Sequence, residues 1–513
     1  MKKDEIVYSV WINRIIELAS LIVCVIGVIT SIRMNLVGRS LWYDEAALAF
    51  SFSQRGLLDL TSSELELIQS APVAWLYLVK IFTLIFGNTD FVLRVPAIIA
   101  YVLIMIFVAK IMREVFDSKY PITASAFAAT LPLILQYSNV FKPYIFDGLC
   151  GLIVVYCFFH YEEGKMTVPK LSVIFMILIW FSNPASFVEG SVIIVSGIGA
   201  LLKKDWKKVK ELVIITVLIL ASFVADYFYW LRQTATSGSM QGFWADWKFP
   251  LFIKNKGDFV QMVKMLYTIF APFYRLRYVV AGILLVTLIY ALVRRNTKML
   301  GIFLSFFVAA FASALSMFPV NKRLWLFFYP LAIVLVFAGT EKILGEVFER
   351  VSGENKARAN AFRIVITGLA LFLLMKVNSG IRYYWNEENV YWPGYEAKAE
   401  YQYLLSVVEP TDGVYIYNSA APMFDYYNGY NFETLGKTGI PIMVGNVALA
   451  EGWDCDEDLN YIFSHDTCYV FMSDSWDVPT SAGKLFTEAE KYGTLERVYF
   501  EYETPLFLFT KDK

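Results

Sequence analysis

The chain has 513 residues, of which 57% are hydrophobic, 17% aromatic and only 18% charged, and its 45 Lys+Arg against 46 Asp+Glu leave a formal net charge of −1. Soluble chains carry roughly 45–50% apolar and about 25% charged residues, so a set of water-soluble domains is excluded. The charge balance excludes an electrostatic nucleic-acid binder, and the two histidines and five cysteines exclude a His-rich metal centre and a disulfide scaffold.

What remains is a multi-span membrane protein, α-helical and polytopic. A spanning helix needs about 20 mostly apolar residues to cross a hydrocarbon core roughly 30 Å thick. The first such run is Ile15 to Ile32, which follows Lys2, Lys3 and Arg14 and lacks a small-residue cleavage site, so it reads as an uncleaved span. Pro72 to Phe86 is apolar but short and carries Lys80, and reads as a helix lying in the outer interface. Further spans are expected near 92–112, 121–137, 143–160, 169–183, 187–202, 209–230, 277–294, 299–317, 324–343 and 361–379, eleven in all. A polar break at Asn183-Pro184 divides two of them.

Basic loops set the orientation. Lysines 203, 204, 207, 208 and 210, then Arg294, Arg295 and Lys298, then the stretch from Lys342 to Arg363 all fall on the side of the basic N-terminus. The positive-inside rule makes that side cytoplasmic, and the membrane expected is the cell (plasma) membrane. Two large outer loops follow, at about 33–91 and 231–276, and an outward tail begins at about 381. The division expected is a membrane domain over 1–380 and an extracytoplasmic α/β domain over 381–513, with strand-like runs at Gly413–Tyr417, Cys468–Met472 and Arg497–Phe500. Cys455 and Cys468 can pair in an oxidising compartment or stand as free thiols, the use made of cysteine in the spans at Cys24, Cys150 and Cys157.

Charge near membrane depth is expensive and commonly functional. Asp44 and Glu45 lie just beyond the first span in Leu41-Trp42-Tyr43-Asp44-Glu45-Ala46. They read either as a proton-abstracting carboxylate pair or as first-turn acids of a helix. At the outer start of the fourth span, Lys142 sits at the rim and Asp147 lies little more than a turn inward. A cation there can hold a lipid phosphate and Asp147 a sugar hydroxyl or a basic side chain, the plainer reading being a snorkelling lysine and a cap. Lys322 and Arg323 oppose the positive-inside bias in an outer turn, where a guanidinium fork matches phosphate oxygens, or where both serve as interfacial anchors. In the 231–276 loop Trp244 and Trp247, with Trp230, Phe243 and Asp246, form a sugar platform or an ordinary aromatic belt. Asp226 and Glu189 are outer-end acids without an evident partner, and His160 is interfacial. The chain holds no Walker A, dinucleotide-binding, nucleophile-elbow or paired-cysteine metal motif.

In this series the chain resembles the GT-C glycosyltransferases, membrane enzymes that use polyprenyl-phosphate sugars. The branch it is most similar to holds the protein O-mannosyltransferases and the bacterial lipopolysaccharide-core and aminoarabinose transferases. Asp44-Glu45 match the family's first-loop acidic pair, and Ser70-Ala71-Pro72 stand where members often have His-Pro-Pro, so the histidine is missing. Leu93-Arg94-Val95-Pro96-Ala97 matches the opening of the second span. Tyr137, Ser138, Lys142 and Tyr144 match the Tyr-Ser-x-x-x-Arg/Lys-x-Tyr pattern, with Asp147 five residues after the cation, and Arg323 and Pro330 resemble a late entry in which an Arg precedes a Pro, here with six residues between them. The resemblance covers about residues 10–380 and implies a GT-C-like fold. It implies sugar transfer from a polyprenyl-phosphate donor to an acceptor hydroxyl at the outer leaflet, with inversion. In that reading Asp44 is the general base and Glu45 orients it or the acceptor. Lys142 and Arg323 face the phosphate, with Tyr144 beside them, and Asp147 positions the cation or the sugar. The sugar phosphate is already a good leaving group, so no cofactor is required in principle, although a divalent metal is compatible with the scheme. The implied partners are the lipid-linked donor, membrane lipids and a protein, lipid or polysaccharide acceptor, with no nucleic acid. The rival readings are a flippase for lipid-linked sugars, which would show repeat symmetry and broken mid-membrane helices, and a non-catalytic envelope assembly protein.

Overall fold

The computed structural model describes residues 3–352, 379–390, 396–431, 435, 439–473, 482–501 and 504–512. The chain forms two compact units, neither continuous in sequence. A helical unit takes Met1–Arg33, Ser70–Leu78 and Arg94–Tyr383, and a mixed unit takes Met34–Gln69, Val79–Leu93 and Tyr384–Lys513. The division expected at 380/381 differs in one respect: residues 34–69 and 79–93 cluster with the tail, because the buried polar groups of the segment before Asp44 find their partners there.

Seven described helical stretches are long and apolar enough to cross a membrane: Asn13–Val37, Asp90–Val115, Tyr144–Glu162, Ala185–Leu202, Trp206–Ala235, Lys256–Arg294 and Thr297–Ala314. The first lies within α1, Lys3–Val37, which leaves Ile15, Leu18, Ile22, Val25 and Ile29 on its surface. An apolar stripe of this kind suits contact with lipid tails. Several expected spans take other forms. The run at 121–137 is two helices, Pro121–Thr130 and Pro132–Tyr137, with Leu131 extended between them. Pro132 lacks the N–H and its ring forbids the α conformation at the residue before it. Val168–Phe181 is helical for only 14 residues, and Ala185–Leu202 begins after the Asn183-Pro184 break. The expected span at 324–343 is helical from Phe328 to Ser352. The expected loop at 231–276 contains a full helix, Lys256–Phe270, opened by Asn255, whose side chain accepts from the Asp258 N–H. The span expected at 361–379 lies outside the described residues.

Small residues let the helices of this unit approach closely, as in membrane bundles generally. Gly301 of the helix Thr297–Ala314 lies against Val192, and a Cβ at Gly148 would come within 3.2 Å of Pro330 and 3.3 Å of Leu326. The second contact seats the first turn of the helix Tyr144–Glu162 beside the turn that carries Arg323. The apolar helix Val73–Phe86 starts where the Trp230 indole N–H donates to the Ala71 carbonyl at 2.9 Å, and Thr234 bonds to Ser70.

The mixed unit carries a five-stranded sheet: β1 Gly413–Ile416, β2 Ile442–Val444, β3 Thr467–Phe471, β4 Gly493–Glu501 and β5 Thr504–Lys511. The order is β2-β1-β3-β5-β4, with β1 parallel to both neighbours and β3-β5-β4 antiparallel. The expected strand runs fall on β1, β3 and β4, whereas β5 was hidden because Leu506-Phe-Leu-Phe509 is a continuous apolar run rather than an alternation. The helices Ala397–Val407, Ala421–Tyr426 and Asp456–Ser464 cover the sheet. Buried Tyr401, Phe424 and Phe471 pack edge to face between them, and the Tyr415 hydroxyl donates to Asp458 at 2.7 Å. Cys455 and Cys468 are separate buried thiols, so the pairing alternative gives way to the filler reading.

Candidate active site

The candidate residues divide between the two units. In the mixed unit, Asp44 stands in the first turn of the helix Tyr43–Gln54, where the positive end of the helix favours a carboxylate. Its side chain is half-buried, and its carbonyl accepts from the Gln69 side-chain amide at 2.9 Å. Glu45, 0% exposed, points the other way into protein. It takes both Arg39 guanidinium nitrogens, at 2.9 and 3.3 Å, and the Trp42 N–H at 3.3 Å. The two adjacent carboxylates therefore differ in chemistry. Asp44 is the accessible one, and Glu45 is locked into holding the turn that presents it. Glu45 fits the reading as a first-turn acid, since it stands at the third helical position and satisfies the Trp42 N–H.

Each residue before Asp44 is anchored. Arg39 donates to the Ser40 carbonyl at 2.9 Å. Ser40 donates its N–H and its hydroxyl to the Glu396 carboxylate, at 2.9 and 3.1 Å, and its oxygen accepts the Lys398 N–H at 2.9 Å. The Leu41 N–H donates to the Tyr427 hydroxyl at 2.8 Å. That hydroxyl and the one on Tyr426 donate to opposite oxygens of Asp90, at 3.2 and 3.3 Å, and Lys398 pairs with Asp90 at 3.2 Å. None of these tail residues carries a motif, and only the acids and tyrosines scattered through the tail could have hinted at them.

Burial pushes the Glu396 carboxyl up to about 7, against the lowering effect of the Ser40 donors, Arg39 and Lys398. Glu400, one turn along and wholly enclosed, is pushed up to about 8 despite donors from Ser473 and the Met472 N–H. Both folded values exceed the ordinary 4.5. The protonated forms are therefore favoured in the fold, and the stability they contribute is present below the ordinary value and lost as pH rises through about 7 and about 8. The thermal unfolding temperature of the full chain should fall as pH is raised across this window. Glu400→Gln should flatten most of that fall in scanning calorimetry, and an unchanged slope in the variant would refute the assignment.

In the helical unit, Lys142 lies in the turn between the helices Pro132–Tyr137 and Tyr144–Glu162 and is only 5% exposed. The turn is pinned by Ser138 and Asn139, which bond to the Ser31 hydroxyl and carbonyl at 2.6 and 2.9 Å, and by Phe141 stacked on Trp75 at 5.4 Å. Arg323 comes from the turn before the helix Phe328–Ser352. Its guanidinium carbon is 5.8 Å from the Tyr144 ring and 5.6 Å from the Trp244 ring, so these three side chains meet. Rings this near a guanidinium supply cation–π attraction. Trp247 is brought there through its backbone, its carbonyl accepting the Val320 N–H at 2.6 Å beside the Arg323 turn. Trp244 is thus tied to a cation of the candidate site, while the Trp247 ring lies 5.9 Å from the Lys264 ammonium. Asp147, 5% exposed in the first turn of its helix, accepts the Ser182 hydroxyl at 2.7 Å. Glu189 is 0% exposed and neither of its carboxylate oxygens has a hydrogen-bond partner. An open apolar groove of about 500 Å³ is lined by Val73, Ala74, Tyr77, Ile177, Trp180 and Tyr229.

This architecture is shared with solved membrane glycosyltransferases. ArnT from Cupriavidus metallidurans, crystallised with undecaprenyl phosphate, aligns over 97% of this chain and 99% of its own, at a TM-score of 0.52 and 10% identity. The oligosaccharyltransferase of Archaeoglobus fulgidus aligns over 93% of this chain and 73% of its own, at 0.51 and 13%. Residues 70–230, which include Lys142, Tyr144 and Asp147, match the dolichyl-phosphate-mannose-protein mannosyltransferase family. No curated protein sequence matches the chain significantly. At these identities the likeness shows a shared fold, and the family match covers residues 70–230 of the chain.

Proposed function

We propose that the protein transfers a sugar from a polyprenyl-phosphate donor to an acceptor hydroxyl on the non-cytoplasmic side of the cell membrane, with inversion. The N-terminus and the five-lysine loop are cytoplasmic, and the sheet domain is extracytoplasmic. Asp44 takes the acceptor proton as the acceptor oxygen bonds to the anomeric carbon. The bond from that carbon to the phosphate oxygen breaks, and polyprenyl phosphate leaves with the electron pair. Negative charge grows on the phosphate, where preorganised cations stabilise a transition state most effectively; Lys142 and Arg323 supply them. Asp147 positions the donor sugar or the neighbouring cation, and Trp244 and Trp247 are the aromatic side of the sugar site. The apolar groove suits a polyprenyl chain, and undecaprenyl phosphate is the lipid in the ArnT structure. The acceptor is a protein, lipid or polysaccharide hydroxyl, and no metal is required in principle, so transfer should persist in EDTA.

The observation that carries this reading is the Arg323 guanidinium held between Tyr144 and Trp244, a side chain built to receive an anion. Arg323→Lys should weaken donor binding about tenfold, because an ammonium loses both the planar fork and most of the ring contact. Unchanged donor affinity in a titration would remove Arg323 from the phosphate. The function itself is tested with the full chain in liposomes and a radiolabelled polyprenyl-phosphate sugar. Label appearing on an acceptor with release of polyprenyl phosphate supports the transferase. Label crossing the bilayer still attached to its lipid would establish the flippase instead.

A further inference from the structure

The N–H groups of Ser40 and Leu41 belong to an irregular segment just ahead of a helix, and both residues are fully buried. Buried backbone donors must be paired, and an irregular segment has no ladder of its own to pair them. Here both bonds go to side chains more than 350 residues away: Glu396 for Ser40 and Tyr427 for Leu41. The Ser40 hydroxyl is also taken at both ends, by the Glu396 carboxylate and by the Lys398 N–H in the first turn of the helix Ala397–Val407. Glu396 and Tyr427 are themselves buried, and Asp90 ties Tyr427 to Tyr426 and Lys398. A side chain fixed this firmly from both sides has one arrangement available to it.

We propose that Glu396 and Tyr427, late in the chain, are positioning residues for Asp44. They fix the backbone of residues 39–42 and thereby the first turn of the helix Tyr43–Gln54 from which Asp44 projects. The C-terminal domain is then a working part of the enzyme. Misplacing a catalytic group by about 1 Å can cost about 10²-fold in rate, and Leu41 and Asp44 are separated by less than one helical turn of chain. The inference rests on the reading of Asp44 as the general base.

The test uses the full-length protein in nanodiscs and four variants: Tyr427→Phe, which removes one oxygen and keeps the ring; Glu396→Ala; Glu396→Gln, which keeps an acceptor for the Ser40 N–H; and Asp44→Asn. Hydrogen exchange and steady-state transfer are both measured. Amides of residues 39–42 should exchange about tenfold faster in Tyr427→Phe and Glu396→Ala, while those of the strands Gly413–Ile416 and Thr467–Phe471 keep their protection. In the same variants kcat should fall about 10²-fold with donor KM within about twofold, and Glu396→Gln should recover most of the loss. Unchanged exchange at 39–42 overturns the proposal. So does faster exchange with wild-type kcat, in an enzyme that Asp44→Asn inactivates, and so does a kcat loss that appears only where strand protection is lost as well. Failure of the functional reading shows differently, as absent transfer by the wild type or full transfer by Asp44→Asn.

Discussion

Asp44→Asn should lower sugar transfer by about 10²–10⁴-fold, the amount a placed general base contributes. The substitution changes no volume, and it keeps the Asp44 carbonyl that accepts from Gln69. It removes the charge from the first helical turn, whose interaction with the helix end is worth about 0.3–1 kcal/mol. Donor affinity and melting temperature should stay at wild-type values, because the cations assigned to the phosphate are on other segments. The measurement is single-turnover transfer from a labelled donor, with donor binding recorded in parallel. A variant that turns over at the wild-type rate would remove Asp44 from the chemistry and leave it a first-turn acid.

Arg39→Ala should be the most destabilising single change in the segment. Glu45 is fully buried, and Arg39 donates to it twice, at 2.9 and 3.3 Å. Removing one partner of a buried pair leaves a charge without compensation and costs about 3–5 kcal/mol, whereas replacing both by apolar residues of similar volume is frequently neutral. Arg39→Met with Glu45→Leu should therefore restore much of the melting temperature that Arg39→Ala loses. It should not restore turnover, since the Trp42 N–H loses its acceptor and the turn before Asp44 loses its fixed shape. If the double variant melts no higher than Arg39→Ala, or turns over normally, the pair does not hold the turn.

Much of this was legible in the sequence, for physical reasons that vary by residue. Apolar runs declare spans because the bilayer leaves no other option, and the Asn183-Pro184 break declares itself through proline. The break at Leu131-Pro132 was overlooked because apolar residues on both sides let hydropathy run straight through a proline that ends a helix. Lys142 reads as a cation at the rim and Asp147 as an acid about a turn deeper, and both are buried. What a one-dimensional reading lacks is the third partner. Nothing near Arg323 in the sequence announces Trp244, and nothing near Ser40 announces Glu396, because these contacts are made by a chain that has folded back over hundreds of residues. The pairing of Glu45 with Arg39, only six residues away, was within reach of a closer look at local charge.

The interleaving of the two units limits how such enzymes can exchange parts. Residues 34–69 and 79–93 cluster with the sheet domain although the tail begins some 300 residues later. A chimera that takes only the tail from a relative would confront Ser40, Leu41 and Asp90 with foreign acceptors and donors. Grafting has to carry the first-loop segments together with the tail, and natural variation in one should be matched by compensating variation in the other. The polypeptide is cut into domains by its fold, and the seams run through the middle of its opening helices.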